Sequence, residues 1–228
     1  RLILKIARTF GECEVAMPDA FIGEIKKYIG KWKSTSRYVN AIGMAKRSGF
    51  IGPIAKALHD NGMPPQFLYL ALVESNFNVK ATGPPTRFGI AKGMWQFIPT
   101  TAMTYGLRVG PMAQLPQFDP GDDRYDFSKS TRAAAQYIRY IYDTEAQASG
   151  LLVMASYNWG ENRVIRLINS MPENPKDRNF WRLLSQYSGK IPKETYDYVF
   201  YIVSAAVIGE NPRLFGFDFD SPLAQYQR

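Results

Sequence analysis

The stretch Pro64-Pro65-Gln66-Phe67-Leu68-Tyr69-Leu70-Ala71-Leu72-Val73-Glu74-Ser75-Asn76-Phe77-Asn78 decides the fold class. Two prolines are well placed in the first turn of a helix, because their missing N–H groups would have no partner there. The seven residues after Gln66 are apolar or aromatic on every side, so the spacing predicts a helix buried all round rather than one lying on a surface. Asn76-Phe77-Asn78 then favours a turn. The helix therefore delivers Glu74-Ser75 at its C-terminal end. Apolar surroundings and the partial negative charge of a helix C-terminus both penalise an ionised carboxylate. They would favour a protonated Glu74, as a general acid requires. Position alone equally allows a Glu that reaches solvent as its helix surfaces.

Downstream of this helix, Gly- and Pro-rich loops separate segments of helical periodicity, and the period-2 alternation of a sheet is missing. Helices are expected at about 65–75, 99–105, 128–147, 150–157, 161–169, 178–187 and 193–208. Upstream, Phe21, Ile22, Ile25, Tyr28, Ile29 and Trp32 recur at helical spacing, with Lys26, Lys27, Lys31 and Lys33 on the other face. A second helical pattern covers about 36–46, and a third opens near Pro53 and stops at Asn61-Gly62. The fold expected is mainly α, with an N-terminal helical annex over 1–62, a main domain over 63–217 and a tail over 218–228.

Composition narrows the function classes. The 228 residues, 46% hydrophobic, suffice for one ample core, and the longest apolar stretch, Tyr198 to Ile208, is shorter than the roughly 20 residues of a membrane span. With Arg1 at the start, any export signal or lipid anchor is expected upstream of this sequence. The single cysteine, Cys13, can form no intramolecular disulfide, and the single histidine, His59, cannot assemble a metal site. No metal and no cofactor are expected. A net charge of +8 favours a polyanionic partner. No concentrated basic run or nucleic-acid-binding motif accompanies it, so nucleic acid is not the expected one.

At residues 64–200 the sequence resembles the soluble-lytic family of lytic transglycosylases. Glu74-Ser75 is similar to the family's catalytic pair, and Gly93-Met94-Trp95-Gln96 to its Gly-Leu-Met-Gln block. Asp122-Asp123-Arg124-Tyr125-Asp126, Ser130-Thr131 and Ala133-Ala134-Ala135 resemble the lead into a long core helix. Ser156-Tyr157-Asn158-Trp159-Gly160 with Arg163-Val164, and Glu194-Thr195 with Tyr198-Val199, resemble the two closing blocks. Each block alone is weak, but five in the family's order over about 125 residues are specific. Trp95, Trp159 and the helices ahead of the domain place the resemblance nearest the family's membrane-bound murein transglycosylase D branch.

The resemblance implies a lysozyme-like catalytic domain that cuts the bond between N-acetylmuramic acid and N-acetylglucosamine in peptidoglycan without water, leaving 1,6-anhydro ends. It implies Glu74 as the single acid and base, and Ser75, Met94, Trp95, Gln96, Tyr157, Asn158 and Tyr198 as substrate-binding residues. On chemistry alone, Ser75 can donate to an acetamido carbonyl or satisfy the helix end, and Gln96 offers both a donor and an acceptor. Trp95 can stack on substrate or fill the core, and Tyr198 competes for core packing with Tyr196, Phe200 and Tyr201 on the same helix. Asp126 reads as a helix N-cap and Asp119, Asp122 and Asp123 as a loop network, and the resemblance implies that there is no second catalytic carboxylate. The implied setting is the periplasm or cell envelope, with peptidoglycan strands as partner and other wall proteins as candidate partners of residues 1–62. The stretch between Glu74 and Gly93 is several residues longer than is usual in the family. Rival readings are a hydrolytic muramidase of the goose-lysozyme type and a glycan-binding module whose catalysis has lapsed.

Overall fold

The computed structural model describes residues 1–12, 18–174 and 177–226. Cys13 lies outside the described residues. The described chain is mainly helical and divides into two compact units, one formed by residues 1–39 and 138–228, the other by residues 40–137. The junctions fall within α3 (Arg37–Arg47) and α7 (Phe127–Tyr142).

The first unit contains α1 (Leu2–Thr9), α2 (Asp19–Lys33), α8 (Gly150–Trp159), α9 (Glu161–Asn169), α10 (Phe180–Tyr187) and α11 (Lys193–Glu210). The sequence reading placed no helix over α1. Its centre is α11, apolar around most of its circumference and buried from Tyr198 to Gly209 at all but one position, Tyr201. Against it packs α2, whose Phe21, Ile25, Tyr28, Ile29 and Trp32 are buried at the predicted helical spacing. The Trp32 indole N–H donates to the Tyr201 carbonyl and to Ser204 Oγ, both at 3.1 Å. Tyr28 meets Phe200 at 5.5 Å and Tyr201 edge-on at 4.9 Å between ring centroids. The start of α8 is fixed by a close approach: the Gly150 N–H donates to the Phe10 carbonyl at 2.8 Å, and a Cβ at Gly150 would lie 2.1 Å from that oxygen.

The second unit contains α4 (Ile51–Asp60), a 3₁₀ turn at Pro65–Leu68, α5 (Tyr69–Ser75), strands β1 (Thr82–Thr86) and β2 (Gly89–Lys92), α6 (Pro99–Thr104), a 3₁₀ turn at Asp123–Tyr125 and most of α7. Gly62, at φ +69°, follows α4 where Asn61-Gly62 predicts its stop. His59 lies exposed in the last turn of α4.

Two further features depart from the sequence reading. The segment around Gly83-Pro84-Pro85 forms an antiparallel hairpin, pairing Thr82 with Lys92, Pro85 with Ile90 and Thr86 with Gly89, with an irregularity between Thr82 and Pro85. Two prolines hide such a strand from propensity, yet a two-stranded hairpin has only edges, where a missing N–H costs little. The helix expected to reach residue 147 ends at Tyr142, because Thr144 accepts the Ala146 N–H at 3.3 Å and caps a separate 3₁₀ turn over Glu145–Ala148. No helix among the described residues is long and apolar enough to cross a membrane.

Candidate active site

The second unit carries Glu74, Ser75, Met94, Trp95 and Gln96. The first carries Tyr157, Asn158 and Tyr198.

From Gln66 to Leu72 every side chain is buried, as the apolar run predicts, and Val73, Glu74 and Ser75 are half-buried where α5 ends. The helix stops because Asn76 takes a left-handed conformation, φ +53°, and its N–H returns to the Leu72 carbonyl at 2.9 Å. Asn tolerates that region, but the next residue, Phe77, also lies there at φ +62°. A bulky residue at positive φ stores of order 1–3 kcal/mol, held here by complete burial of the ring. The one other described non-glycine residue at positive φ is Gln96, at +50°. Among the described non-glycine residues, left-handed backbone is thus confined to the two loops that flank the candidate acid and the candidate amide.

Ser75 joins those two loops. Its hydroxyl donates to the Met94 carbonyl at 2.8 Å, with a longer contact to the Ala71 carbonyl at 3.3 Å. Its geometry therefore serves the helix end and the neighbouring loop together. Gly93 opens that loop at φ +80°, and a Cβ there would lie 1.8 Å from the Arg124 carbonyl oxygen. Its N–H donates to the Ala81 carbonyl at 2.8 Å. The Gln96 amide nitrogen donates to the Gly93 carbonyl at 2.8 Å and lies 3.4 Å from that of Ala81. The backbone engages its donor side, so the carbonyl oxygen is the group it can present to a ligand. Met94 and Trp95 are each 1% exposed, and the Trp95 indole N–H donates to Thr131 Oγ1 at 3.1 Å. Of the two roles open to Trp95, its position matches core filling.

The acidic cluster supports this loop. Arg124 and Asp122 are buried with side chains 0% exposed and form a paired contact, Nη2 to Oδ2 at 2.7 Å and Nε to Oδ1 at 2.9 Å. Arg124 also donates through Nη1 to the carbonyls of Ile90 (2.8 Å) and Phe97 (3.0 Å), gripping β2 and the end of the Gln96 loop. Burial raises the Asp122 carboxyl, but hydrogen bonds from the Arg124 side chain and backbone outweigh it and hold the group below the usual carboxylate range. Asp123 is also held low against the effect of burial, by Lys129 and the Arg108 N–H. Asp119 accepts the N–H groups of Met112 (3.2 Å) and Gly121 (2.9 Å), and Asp126 accepts the Lys129 N–H at the start of α7 (2.8 Å). Each of these four carboxylates has a structural partner.

In the first unit, Asn158 and Tyr157 sit half-buried near the end of α8, and Tyr198 is buried on α11. Asn158 Oδ1 accepts the Thr195 hydroxyl at 2.8 Å, which engages the acceptor side of the amide. Arg163 donates to the Trp159 carbonyl at 2.9 Å across the turn made by Gly160. Thr195 and Arg124 are therefore positioning residues. Both lie inside blocks quoted from the sequence, but a block match assigns no partner. Phe77 carried no sequence signal beyond its turn context.

Comparison with known proteins identifies the family. Residues 53–180 match the family model "Transglycosylase SLT domain". Over 163 residues, 72% of the chain, it is 31% identical to "Membrane-bound lytic murein transglycosylase D" of Escherichia coli strain K12, and equally to the protein of that name from Escherichia coli O6:H1. The chain spans 32% of the length of each of these relatives.

Proposed function

Because the chain belongs to the SLT transglycosylase family, we propose that it cleaves peptidoglycan glycan strands as a lytic transglycosylase, with Glu74 as its single acid and base. The observation that carries this reading is the Glu74-Ser75 pair at the end of a buried helix, tied through Ser75 to the loop of Gln96.

In this reaction Glu74 gives its proton to the bridging oxygen, the bond from the muramic C1 to that oxygen breaks, and the departing N-acetylglucosamine keeps a 4-hydroxyl. The substrate's 2-acetamido oxygen supports the positive charge at C1. The ionised Glu74 then takes the proton of the muramic C6 hydroxyl as its oxygen bonds to C1, which closes the 1,6-anhydro ring and restores the acid without water. Hydrolysis by a pair of carboxylates would need a second free one. The structural engagement of Asp119, Asp122, Asp123 and Asp126 supports the single-carboxylate reading. Ser75 holds the acid-bearing helix and its facing loop in register, and the Gln96 oxygen serves as acceptor for a substrate N–H or hydroxyl. Met94 and Trp95 act through the loop they anchor. Tyr157, Asn158 and Tyr198 extend substrate binding. Residues 63–217 form the catalytic part in this reading, 1–62 a docking or bracing annex, and 218–228 a tail. The substrate places the work in the cell envelope.

The test is mass spectrometry of the muropeptides released from purified sacculi. Anhydro-muramic ends from the unsubstituted chain, and none from Glu74→Gln, are expected. Reducing ends would identify a hydrolytic muramidase, and binding without cleavage a lapsed module.

A further inference from the structure

The loop between α6 and the Asp123–Tyr125 turn exposes an aromatic ring on a rigid support. Phe118 is 46% exposed, yet both its neighbours are pinned. The Gln117 carbonyl accepts from Lys92 Nζ at 3.1 Å and from the Tyr125 hydroxyl at 3.3 Å, and Asp119 is buried against two backbone N–H groups of the same loop. Lys92 is 0% exposed and also donates to the Met112 carbonyl at 2.8 Å. Burial first, and the Arg124 charge second, push its ammonium below the ordinary lysine range. A buried amine is costly unless hydrogen-bonded. Here it straps an otherwise irregular loop to the end of β2, and the strap holds an apolar ring out in solvent.

A cation stands beside that ring. Lys80 Nζ lies 5.0 Å from the Phe118 centroid, is exposed, and forms no ion pair among the described residues. One anchor holds both partners: the Tyr125 hydroxyl bonds Thr82, two residues after Lys80, at 2.8 Å, and the Tyr125 ring lies 4.9 Å from that of Phe118. The same segment supplies the Ala81 carbonyl beneath the Gln96 side chain.

We propose that Phe118 and Lys80 form a subsite for the carboxylate-bearing peptide stems attached to the glycan strand. This rests on the functional reading above. The exposed ring takes the apolar part of an acylated stem and the unpaired ammonium its carboxylate. A neutral sugar would use the ring but has no need of the charge.

The experiment uses the full chain carrying Glu74→Gln, so that strands persist, and titrates it calorimetrically with soluble glycan strands bearing peptides and with the same strands stripped of peptides by an amidase. Lys80→Gln and Phe118→Ala are each expected to weaken binding of peptide-bearing strands about fivefold and of stripped strands less than about twofold. Lys92→Met, checked for folding by its melting curve, is expected to reproduce the selective loss by releasing the loop, and Phe118→Tyr to retain binding. Equal loss on both ligands, or no loss on either, would overturn the subsite. Cleavage by the chain with Glu74 intact is scored separately on both strands: if it cuts neither, the functional reading fails, whatever the binding preference.

Discussion

At Gly93 two separate demands exclude any side chain: a φ of +80° and a Cβ position 1.8 Å from the Arg124 carbonyl oxygen. Gly93→Ala is expected to cost about 2–5 kcal/mol through left-handed strain plus displaced backbone, lowering the melting temperature and abolishing cleavage together. Ser75→Ala is a milder case. It removes one hydrogen bond to the Met94 carbonyl, and the loss expected in denaturant unfolding is about 1 kcal/mol. Because that bond joins the helix of Glu74, the proposed acid, to the Gln96 loop, kcat is expected to fall by about tenfold or more. A stability loss with unchanged kcat would reduce Ser75 to a helix-end hydroxyl. A glycine in the Gly93-Met94-Trp95-Gln96 block was readable from the sequence. Its reason, the Arg124 backbone some 30 residues away, was not.

Among the elements, the Thr195 hydroxyl of α11 donates to Asn158 near the end of α8. Thr195→Val keeps the shape of a buried side chain but removes the donor, leaving Asn158 free to rotate. The expected result is a KM raised several-fold with a melting temperature lowered by only a few degrees. An unchanged KM would show that Asn158 needs no such restraint. By contrast, Trp32→Ala is expected to cost about 3–5 kcal/mol without touching the chemistry, because the indole fills the seam between α2 and α11 and its N–H bonds Tyr201 and Ser204. Periodicity located these helices well: the spacing that predicts 161–169 and 99–105 is matched by Glu161–Asn169 and Pro99–Thr104. It failed at Thr82–Thr86, where backbone pairing rather than side-chain alternation makes the strand, and at Thr144, whose side chain ends a helix that propensity would continue.

For the molecule as a whole, pH and salt act through different charges. The Asp122 carboxyl is held below its unfolded value, so its contribution to stability is complete above about pH 4 and disappears as pH falls through the lower folded value. Melting curves between pH 2 and 7 are expected to be flat with respect to this group down to about pH 4 and to drop below it. Asp122→Asn, which leaves the Arg124 charge buried without its partner, is expected to lose about 3–5 kcal/mol across the upper range and to show a weaker acid drop. The net charge of +8 resides mostly on exposed lysines and arginines, so binding to purified sacculi, the proposed substrate, is expected to weaken as salt rises from 0.05 to about 0.5 M. Affinity that ignores salt would assign wall binding to uncharged contacts alone.

The sequence by itself determined the helical class, the family and the order of its blocks, because these depend on local quantities: apolar spacing, turn residues and the types found at fixed offsets. An all-apolar run ending in Glu74-Ser75 already dictated a buried helix with a carboxyl at its tip. Only the tertiary structure decided which polar groups are engaged. It turned the Gln96 amide nitrogen onto the backbone, placed Trp95 in the core against Thr131, buried Lys92 and Arg124 as straps, and left Phe118 standing in solvent. Those outcomes depend on which distant backbone carbonyl comes within about 3 Å, and a side chain's own type carries no record of that distance.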